Sequence, residues 1–306
     1  MRVALLGWCA STSLYVEALE RAGARPLLAV TGAEAPAAPA LAAVCARFGV
    51  PLERRNQVND ADFVLDLAQR GVELLLVTGW PRVLGERLRQ APKYGCINVH
   101  PSLLPAYRGK DPLFWAILRG ERTVGVTLHR MTEVIDGGPI LLQRALEVPA
   151  GATTVSLSVA VDREGAALIP ELVERARAGT LGGGTLPDAP GSYFPPVREE
   201  HALLDWTAPA DALERLVRAC TGVARAHCFF GGMKLVALDA RVIDARRAAA
   251  PGTVLAIEDA IEIATASAAL AVSRWLFVER VHDASELAAR VALREGARLS
   301  HNPALT

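Results

Sequence analysis

Residues 96–109 read CINVHPSLLPAYRG, and the surrounding sequence is interpreted around this stretch. It begins with apolar residues typical of a buried strand and continues into two prolines and an Arg-Gly pair, which favour a loop. Asn98 and His100 stand two residues apart, so their side chains lie on the same face of an extended strand. An amide and an imidazole at a strand end can bind a carbonyl oxygen and move a proton, as acyl transfer requires.

The segments before this strand alternate between buried strands and helices. The apolar runs at residues 2–7, 26–30 and 73–78 are continuous rather than alternating, which predicts parallel strands buried on both faces. This order predicts an α/β fold with a mostly parallel sheet, whose ligands bind at the carboxyl ends of the strands. The first loop, GWCAST, lacks the Gly-x-Gly-x-x-Gly pattern, which argues against a dinucleotide site there.

Composition narrows the class of protein. The 306 residues include 33 basic and 33 acidic side chains, so zero net charge gives no general attraction to polyanions. The five cysteines form no Cys-x-x-Cys pair, which predicts free thiols in a reducing compartment. The sequence enters its first strand without a signal peptide, and its apolar runs are too short to span a bilayer. We therefore predict a cytoplasmic protein without a membrane partner.

The second half of the chain changes in character. A helical pattern at residues 153–178 precedes a run rich in Gly and Pro at 179–191, the composition of a linker. A helix follows Asp205, and after it the pattern becomes one of short strands, with a turn at Gly231-Gly232. This change predicts a second, smaller and β-rich domain.

Asn98, His100 and Asp136 form the candidate site. Asp136 stands in the loop between predicted strands at residues 123–130 and 139–144. A carboxylate beside an imidazole fixes its tautomer, favours its charged form and accepts a proton from an attacking amine. Taken singly, each residue is more often structural: the Asn and the Asp as turn formers, the His as a packed core residue. Their joint position at the loops of one sheet, without competing metal-ligand spacing, favours a catalytic role.

These residues carry a resemblance to the folate-dependent formyltransferase family. The matching motifs are NVHPSLLPAYRG at residues 98–109, GVTLH at 125–129 and IDGG at 135–138. Further motifs, LLDW at 203–206 and PGTVLAI at 251–257, are similar to the carboxy-terminal domain of the longer members. The resemblance therefore covers nearly the whole chain.

The family resemblance implies a fold and its division into domains. It implies a Rossmann-like formyltransferase domain with a mostly parallel sheet, followed by a smaller β-rich, OB-like domain. We expect the catalytic domain at residues 1–188, a linker at 189–203 and the carboxy-terminal domain at 204–306.

The resemblance also implies roles for individual residues. The chain would move a formyl group from 10-formyltetrahydrofolate to an amine, and no metal is implied. Asn98 would hold the formyl oxygen, His100 would stabilise the oxyanion, and Asp136 would set the state of His100 and accept the amine proton. The residues expected to hold the folate are Trp80, Arg82, Val83, Leu84, Ser102, Leu104, Val134, Ile135, Gly137 and Pro139.

A further set of residues is expected to face the acceptor: Ser11, Thr12, Tyr107, Arg108 and Trp115. Competing structural interpretations exist for several of them. Ser11 and Thr12 could cap the helix that follows, Arg108 could be solvated, and Trp115 could pack in a core.

The sequence constrains the identity of the amine acceptor less than it constrains the reaction. The family includes enzymes that act on methionyl-tRNA and others that act on sugar amines. The tRNA enzymes carry a basic insertion where residues 31–40 here contain no Lys or Arg. From residue 200 onwards, 12 basic side chains stand against 13 acidic ones, whereas RNA binding needs cationic groups. We therefore predict a small-molecule amine from a biosynthetic pathway, such as an amino sugar or amino acid derivative. A tRNA acceptor is disfavoured, and the enzyme is expected to be a monomer or homodimer.

Two other functional classes stay open at this point. A hydrolase would cleave 10-formyltetrahydrofolate with water through the same three residues, and steady release of formate without an amine would identify it. A non-catalytic binding module with the same fold would show no change in turnover when Asn98, His100 or Asp136 is replaced by alanine. The presence of all three residues argues against such a module.

Overall fold

The computed structural model describes residues 1–36, 38–182, 184, 191–244 and 249–302. The chain divides into two compact units, and each is described by itself. The first unit consists of Met1–Pro112, Thr123–Glu147 and Ser158–Phe194. The second unit consists of Leu113–Arg122, Val148–Leu157 and Pro195–Thr306.

A seven-stranded sheet forms the centre of the first unit. Its strands are β1 (Val3–Gly7), β2 (Pro26–Thr31), β3 (Leu52–Arg54), β4 (Leu74–Thr78), β5 (Cys96–His100), β7 (Thr123–Arg130) and β8 (Ile140–Glu147). Their spatial order is β3-β2-β1-β4-β5-β7-β8. The first five strands run parallel, while β7 pairs antiparallel with both β5 and β8. The predicted α/β fold with a mostly parallel sheet is therefore confirmed. A short strand, β6 (Arg108–Gly109), pairs outside this sheet with β9 (Tyr193–Phe194).

Four helices connect the parallel strands: α1 (Thr12–Arg21), α2 (Ala38–Phe48), α3 (Ala61–Gln69) and α4 (Glu86–Gln90). The later helices are α5 (Pro112–Arg119), which packs in the core of the second unit, α6 (Thr154–Ala167) and α7 (Ile169–Arg177). Helix α3 shows why the sequence starts a helix where it does. The Asp60 side chain accepts a hydrogen bond from the Phe63 amide at 2.8 Å, which satisfies a free N–H of the first turn.

One face of the sheet carries the row of side chains that leads to the candidate site. Cys96 in β5 packs in the same buried cluster as Phe63 of α3 and Leu88 of α4. Because side chains alternate along a strand, Asn98 and His100 continue this row toward the carboxyl end of β5. Strand order reverses between β1 and β4, and such reversals open a crevice at the carboxyl edge of a doubly wound sheet. The loops after β4 and β5 lie at this edge.

The single helix predicted at residues 153–178 is wrong, because the structure has two helices there. Helix α6 ends at Ala167, and α7 begins at Ile169 with Pro170 in its first turn. Proline has no amide hydrogen, so it cannot continue the hydrogen bonding of the preceding helix, but it suits the start of a new one.

The second unit is built on an antiparallel sheet, which confirms the predicted β-rich character. Its strands are β10 (His227–Phe230), β11 (Met233–Ile243), β12 (Val254–Ile257), β13 (Ile261–Ala264), β14 (Ala269–Phe277) and β15 (Arg280–Asp283). A 3-10 helix (Glu199–Ala202), α8 (Ala210–Cys220) and α9 (Ala284–Val291) complete the unit. The fully buried Trp275 lies in its core together with Trp206 and Leu213.

Within the described ranges, no helix combines the length and the apolar character needed to cross a bilayer. The predicted domain boundaries at residues 188 and 203 stay predictions, and residues 189–190 of the expected linker lie outside the described residues.

Candidate active site

The pairing of β5 with β7 brings polar side chains together at the carboxyl end of β5. In this antiparallel pair, Asn98 lies opposite His129, and His100 lies opposite Thr127. The Nδ2 atom of Asn98 is 3.2 Å from Nε2 of His129. His100 is 4% exposed and His129 is 1% exposed, so both imidazoles are shielded from bulk water.

The carboxylate of Asp136 joins these three side chains. Asp136 adopts a left-handed backbone conformation (φ 48°) in the loop between β7 and β8, which Asp tolerates better than most residues. Its Oδ1 accepts a hydrogen bond from the Asn98 amide at 3.4 Å and lies 3.4 Å from Nε2 of His129. Its Oδ2 accepts the backbone amide of Gly109 at 2.9 Å and lies 3.6 Å from Nδ1 of His100. The structure therefore brings the three predicted catalytic residues into one cluster.

The environment lowers the pKa of both Asp136 and His100. Burial alone would raise the pKa of Asp136, but the neighbouring His129 and His100 and the Gly109 amide outweigh it and lower the pKa to about 2. Burial lowers the pKa of His100, against the opposing effect of Asp136 and of the Tyr107 carbonyl. At neutral pH the cluster thus holds an ionised carboxylate beside an imidazole that is mainly neutral.

His100 has an oxygen acceptor facing each ring nitrogen. Its Nε2–H donates to the Tyr107 carbonyl at 2.8 Å, and its Nδ1 faces the Asp136 carboxylate. A ring placed between two acceptors is stabilised when it takes up a proton. This arrangement can relay a proton released by an amine as it attacks a carbonyl carbon, with the Asn98 amide positioned to bind the carbonyl oxygen.

His129 is the member of the cluster to which the sequence analysis gave no role. It lies within the GVTLH motif, but no role could be read from the motif alone. The available signal was its position near the end of an apolar strand next to the predicted site. Only the antiparallel register of β5 and β7 shows that it lies directly opposite Asn98.

The residues expected to hold the folate lie on two loops and one turn of the first unit. After β4, Trp80 and Leu84 are buried in the same apolar cluster, while Val83 is 65% exposed. The indole Nε1–H of Trp80 is buried and has no hydrogen-bond partner in the described part of the chain. The Arg82 guanidinium lies 6.0 Å from the centre of the Trp8 ring and donates to the Asn56 carbonyl.

The other expected folate residues follow β5 and β7. Ser102 and Leu104 are buried, and the Ser102 hydroxyl donates to the Ala106 carbonyl at 2.7 Å. In the loop around Asp136, Val134 and Ile135 are about half exposed. The remaining two, Gly137 and Pro139, make backbone hydrogen bonds. The Gly137 amide donates to the Val134 carbonyl, and the Arg130 amide donates to the Pro139 carbonyl.

The residues expected to face the acceptor belong to both units, and each has its own contacts. The Thr12 hydroxyl is fully buried and donates to the Cys9 carbonyl at 2.7 Å. Ser11 precedes α1 but makes no capping hydrogen bond with its side chain, and its hydroxyl donates to Cys9 Sγ at 3.2 Å. The Arg108 Nε atom is buried without a hydrogen-bond partner among the described residues. Trp115 belongs to the second unit, where its indole donates to the Pro195 carbonyl at 3.1 Å.

Comparison with known proteins agrees with this fold. Residues 26–173 match the formyl transferase family, and residues 196–288 match the formyl transferase C-terminal domain. A methionyl-tRNA formyltransferase from Citrifermentans bemidjiense is 34% identical over 236 residues, which cover 77% of this chain and 74% of the relative. One from Halorhodospira halophila is 32% identical over 269 residues, which cover 85% of this chain and 86% of the relative.

A solved structure extends the likeness to the three-dimensional fold. The crystal structure of HypX from Aquifex aeolicus in complex with tetrahydrofolic acid covers 95% of this chain with a TM-score of 0.67 and 19% identity. This chain spans about half of the HypX chain, since the match covers 47% of it. At this level of identity the likeness concerns the fold.

The chain therefore belongs to the formyl transferase family. It is a folate-dependent transferase of one-carbon groups that uses 10-formyltetrahydrofolate as the formyl donor. The described part of the chain holds no group of three or more His, Cys, Asp or Glu side chains arranged to bind a metal ion.

The relatives also overturn the predicted acceptor. Relatives at 28% to 35% identity are named methionyl-tRNA formyltransferase, so the preference for a small-molecule amine and against tRNA is wrong. The preference rested on the absence of Lys and Arg at residues 31–40 and on the net charge of residues 200–306. A net charge sums cations and anions over a whole surface, whereas phosphate contacts depend on where individual cations lie.

The residues of the first unit fit a folate donor. A pterin ring is flat, apolar on its faces and polar at its edges, and sites for such groups combine apolar walls with a few directed polar groups. The exposed Val83 and Val134 and the unpartnered indole N–H of Trp80 supply both features. When bound, the donor supplies the activated formyl carbon. In the expected reaction, the Asn98 amide would bind the formyl oxygen and the His100–Asp136 pair would handle the proton.

Proposed function

We propose that this chain formylates the amino group of methionyl-tRNA, with 10-formyltetrahydrofolate as the donor. The observation that carries the proposal is the set of relatives named methionyl-tRNA formyltransferase. They are similar to this chain across both of its units, and one of them covers 89% of the chain. A cytoplasmic location, where charged tRNA is used, belongs to the same proposal.

In the proposed reaction, the cluster around Asp136 performs the chemistry. The Asn98 amide binds the formyl oxygen and stabilises the negative charge that develops on it. The ionised Asp136 accepts the proton of the attacking amine. The His100 imidazole stabilises the same formyl oxygen and delivers a proton to the folate nitrogen as the bond between this nitrogen and the formyl carbon breaks. Loss of one such preorganised donor costs about 10²–10³ in rate in comparable acyl transfers.

We propose that the folate lies against the loops after β4 and β7. Its pterin would pack between Val83 and Val134, with backbone groups near Leu84 and Gly137 binding its polar edge. The buried, unpartnered Trp80 indole N–H supports this assignment, because buried polar groups almost always have a partner. The buried Nε of Arg108 supports in the same way a contact of this residue with the acceptor.

The decisive experiment supplies 10-formyltetrahydrofolate together with initiator tRNA charged with methionine. We expect formyl-methionyl-tRNA as the product, detected by hydrolysis of the ester bond and the mass of formylmethionine. Uncharged tRNA and free methionine serve as controls for the acceptor. Asp136→Asn should reduce kcat by at least about 10², because an amide cannot accept the proton. Asp66→Asn is the matched control, since Asp66 pairs with Arg70 on the surface of α3.

Two results would contradict the proposal. One is formylation of free methionine at a kcat/KM equal to that of the charged tRNA, which would remove the role of the tRNA. The other is release of formate at the same rate with and without charged tRNA, which would identify a hydrolase.

A further inference from the structure

A short segment at the end of the first unit contacts the loop that follows the catalytic strand. We call Gly191–Phe194 the strap and residues 105–110 the catalytic loop. Strand β9 of the strap pairs in parallel with β6 of the catalytic loop, with Arg108 opposite Tyr193 and Gly109 opposite Phe194. The strap lies more than 80 residues beyond the loop in sequence, so this pairing is purely tertiary.

Four backbone amides donate hydrogen bonds that join the strap and the loop. The Ser192 amide donates to the Pro105 carbonyl at 3.1 Å, and the Ser192 carbonyl accepts the Arg108 amide at 2.8 Å. The Ser192 hydroxyl accepts the Tyr107 amide at 2.9 Å. The Lys110 amide donates to the Phe194 carbonyl at 3.1 Å. Ser192 thus binds the loop through its amide, its carbonyl and its side chain.

The contact between strap and loop is also close-packed. The rings of Tyr107 and Phe194 stack with centroids 5.0 Å apart and an interplanar angle of 12°. A Cβ added at Gly191 would lie 2.1 Å from the Pro105 carbonyl oxygen, and one at Gly109 would lie 2.3 Å from the Phe194 carbonyl oxygen. The two segments approach so closely that only glycine fits at these positions.

The catalytic loop has a backbone conformation that it would not favour alone. Tyr107 (φ 59°) adopts a left-handed conformation without being glycine, and so does Asp111 (φ 52°) directly after the loop. Such conformations persist where the surroundings fix them, and they cluster at functional sites. The Tyr107 amide is the group that the Ser192 hydroxyl binds.

The same loop binds two catalytic residues through its backbone. The Tyr107 carbonyl accepts the Nε2–H of His100 at 2.8 Å. The Gly109 amide donates to Oδ2 of Asp136 at 2.9 Å. Both loop residues also contact the strap. Tyr107 does so through its amide and its ring, and Gly109 does so through the pairing of β6 with β9.

We propose that the strap is a positioning element of the formyl-transfer site. It fixes the catalytic loop so that the Tyr107 carbonyl and the Gly109 amide orient His100 and Asp136, and Ser192 is its principal positioning residue. The inference rests on the family's reaction and holds for any amine acceptor. The strap ends at Phe194, where the chain leaves the first unit and continues into the second unit at Pro195. The proposal assigns this end of the first unit the role of orienting the catalytic residues.

The test uses the full chain with Ser192→Ala, which removes the hydroxyl acceptor, and Ser192→Thr, which retains it. Ser156→Ala is the matched control, because the Ser156 hydroxyl also accepts one backbone amide, that of Thr153 at 2.9 Å. We expect Ser192→Ala to lower kcat about tenfold with KM for 10-formyltetrahydrofolate unchanged within about twofold. Ser192→Thr should retain most of the activity.

A second readout separates positioning from a loss of folded protein. The side chains that face His100 are Asp136 and His129, and the Tyr107 carbonyl is the backbone group that binds it. Loosening the bond from His100 to Tyr107 removes an interaction that raises the His100 pKa. In an NMR titration of the histidine rings without acceptor, the His100 midpoint should therefore be lower in Ser192→Ala than in Ser156→Ala. The Tyr107 and Gly109 amides should exchange with solvent at least about tenfold faster.

These outcomes decide the proposal independently of the acceptor. It is overturned if the His100 midpoint and the Tyr107 and Gly109 exchange rates are the same in Ser192→Ala and the control. It is also overturned if Ser192→Thr loses as much activity as Ser192→Ala. If Ser192→Ala does not fold, Phe194→Leu, which removes the stacking on Tyr107, is measured in the same way and with the same criteria. Because the titration and exchange need no acceptor, they stay informative even if methionyl-tRNA is not the substrate.

Discussion

At the scale of single residues, the site works as one hydrogen-bonded cluster around Asp136. Oδ1 of this carboxylate contacts Asn98 and His129, and Oδ2 contacts the Gly109 amide and faces His100. Each partner therefore affects the others through a shared group. Effects of residues that act as a unit are not additive.

This sharing predicts the outcome of a double-mutant cycle. We expect Asn98→Ala and His129→Ala each to lower kcat by about 10–10³-fold, because each removes a partner of Asp136 Oδ1. The double variant should lose little more than the more severe single variant. Steady-state kinetics of the wild type, both single variants and the double variant measure this coupling. Multiplication of the two single effects would show that His129 acts independently of Asn98.

The lowered pKa of His100 predicts a pH dependence of stability. Its folded pKa is below the unfolded value of about 6.5, so the unfolded chain binds the proton first as the pH falls. The stabilising contribution is fully present above pH 6.5 and is lost as the pH falls toward the folded pKa. In His100→Gln, the fall in the free energy of unfolding below pH 6.5 should be shallower by up to about 1.4 kcal/mol per pH unit.

Denaturant titrations at several pH values measure this slope. His227→Gln is a useful comparison, because burial also lowers the pKa of His227 in the second unit. Identical slopes for wild type and His100→Gln would contradict the burial argument.

At the scale of elements, the pairing of β5, β7 and β8 determines the geometry of the site. Strand β7 carries His129 and Thr127 and lies between the two other strands. At Gly125 the packing leaves no space for a side chain: a Cβ there would lie 2.3 Å from Leu103 Cδ2 and 2.4 Å from the Arg144 carbonyl oxygen. The glycine of the GVTLH motif is therefore required by the close approach of a loop and a neighbouring strand.

Replacing this glycine should affect stability and catalysis together. Gly125→Ala must displace β7 or its neighbours, which we expect to destabilise the fold by about 1–3 kcal/mol. Since His129 lies on the same strand, kcat should fall even at temperatures where the variant is fully folded. Gly85→Ala is the control for stability, because a Cβ at Gly85 meets no atom closer than 3.4 Å. An unchanged melting temperature and kcat in Gly125→Ala would contradict this prediction, because β7 would then accommodate the added methyl group with no loss of stability or activity.

At the scale of the whole molecule, the distribution of charge matters more than its total. Residues 200–306 carry 12 basic and 13 acidic side chains, a net charge of −1. Several of these anions are already paired within the second unit, such as Glu214 with Arg218 and Asp211 with Arg215. Arg225 and Arg274 are among the exposed arginines, and the net charge does not show their positions. A neutral total is therefore compatible with an anionic partner.

The proposed tRNA acceptor predicts a dependence on salt. Phosphate contacts release bound counterions, so KM for methionyl-tRNA should rise steeply as salt increases from about 50 mM to 200 mM. KM for 10-formyltetrahydrofolate should change far less over the same range. A logarithmic plot of kcat/KM against salt concentration gives the number of phosphate contacts. Equal and small slopes for both substrates would contradict the tRNA proposal.

Local residue patterns were sufficient for much of the fold. Continuous apolar runs identified β1, β2 and β4, because this feature depends on neighbours in the chain. The pattern failed at residues 153–178, where Pro170 divides one predicted helix into α6 and α7. Amphipathic spacing continues through such a break, but backbone hydrogen bonding does not.

For the site, the sequence determined the chemical groups and the tertiary structure determined their contacts. The proximity of Asn98, His100 and Asp136 was predictable because a strand end and its following loops place polar groups at a sheet edge. The contact of His129 with Asn98 and Asp136 depends on the register of β5 with β7. The contact of the strap with the catalytic loop depends on the pairing of β9 with β6. Both contacts join residues far apart in sequence, so they form only when the chain folds and local propensity cannot specify them.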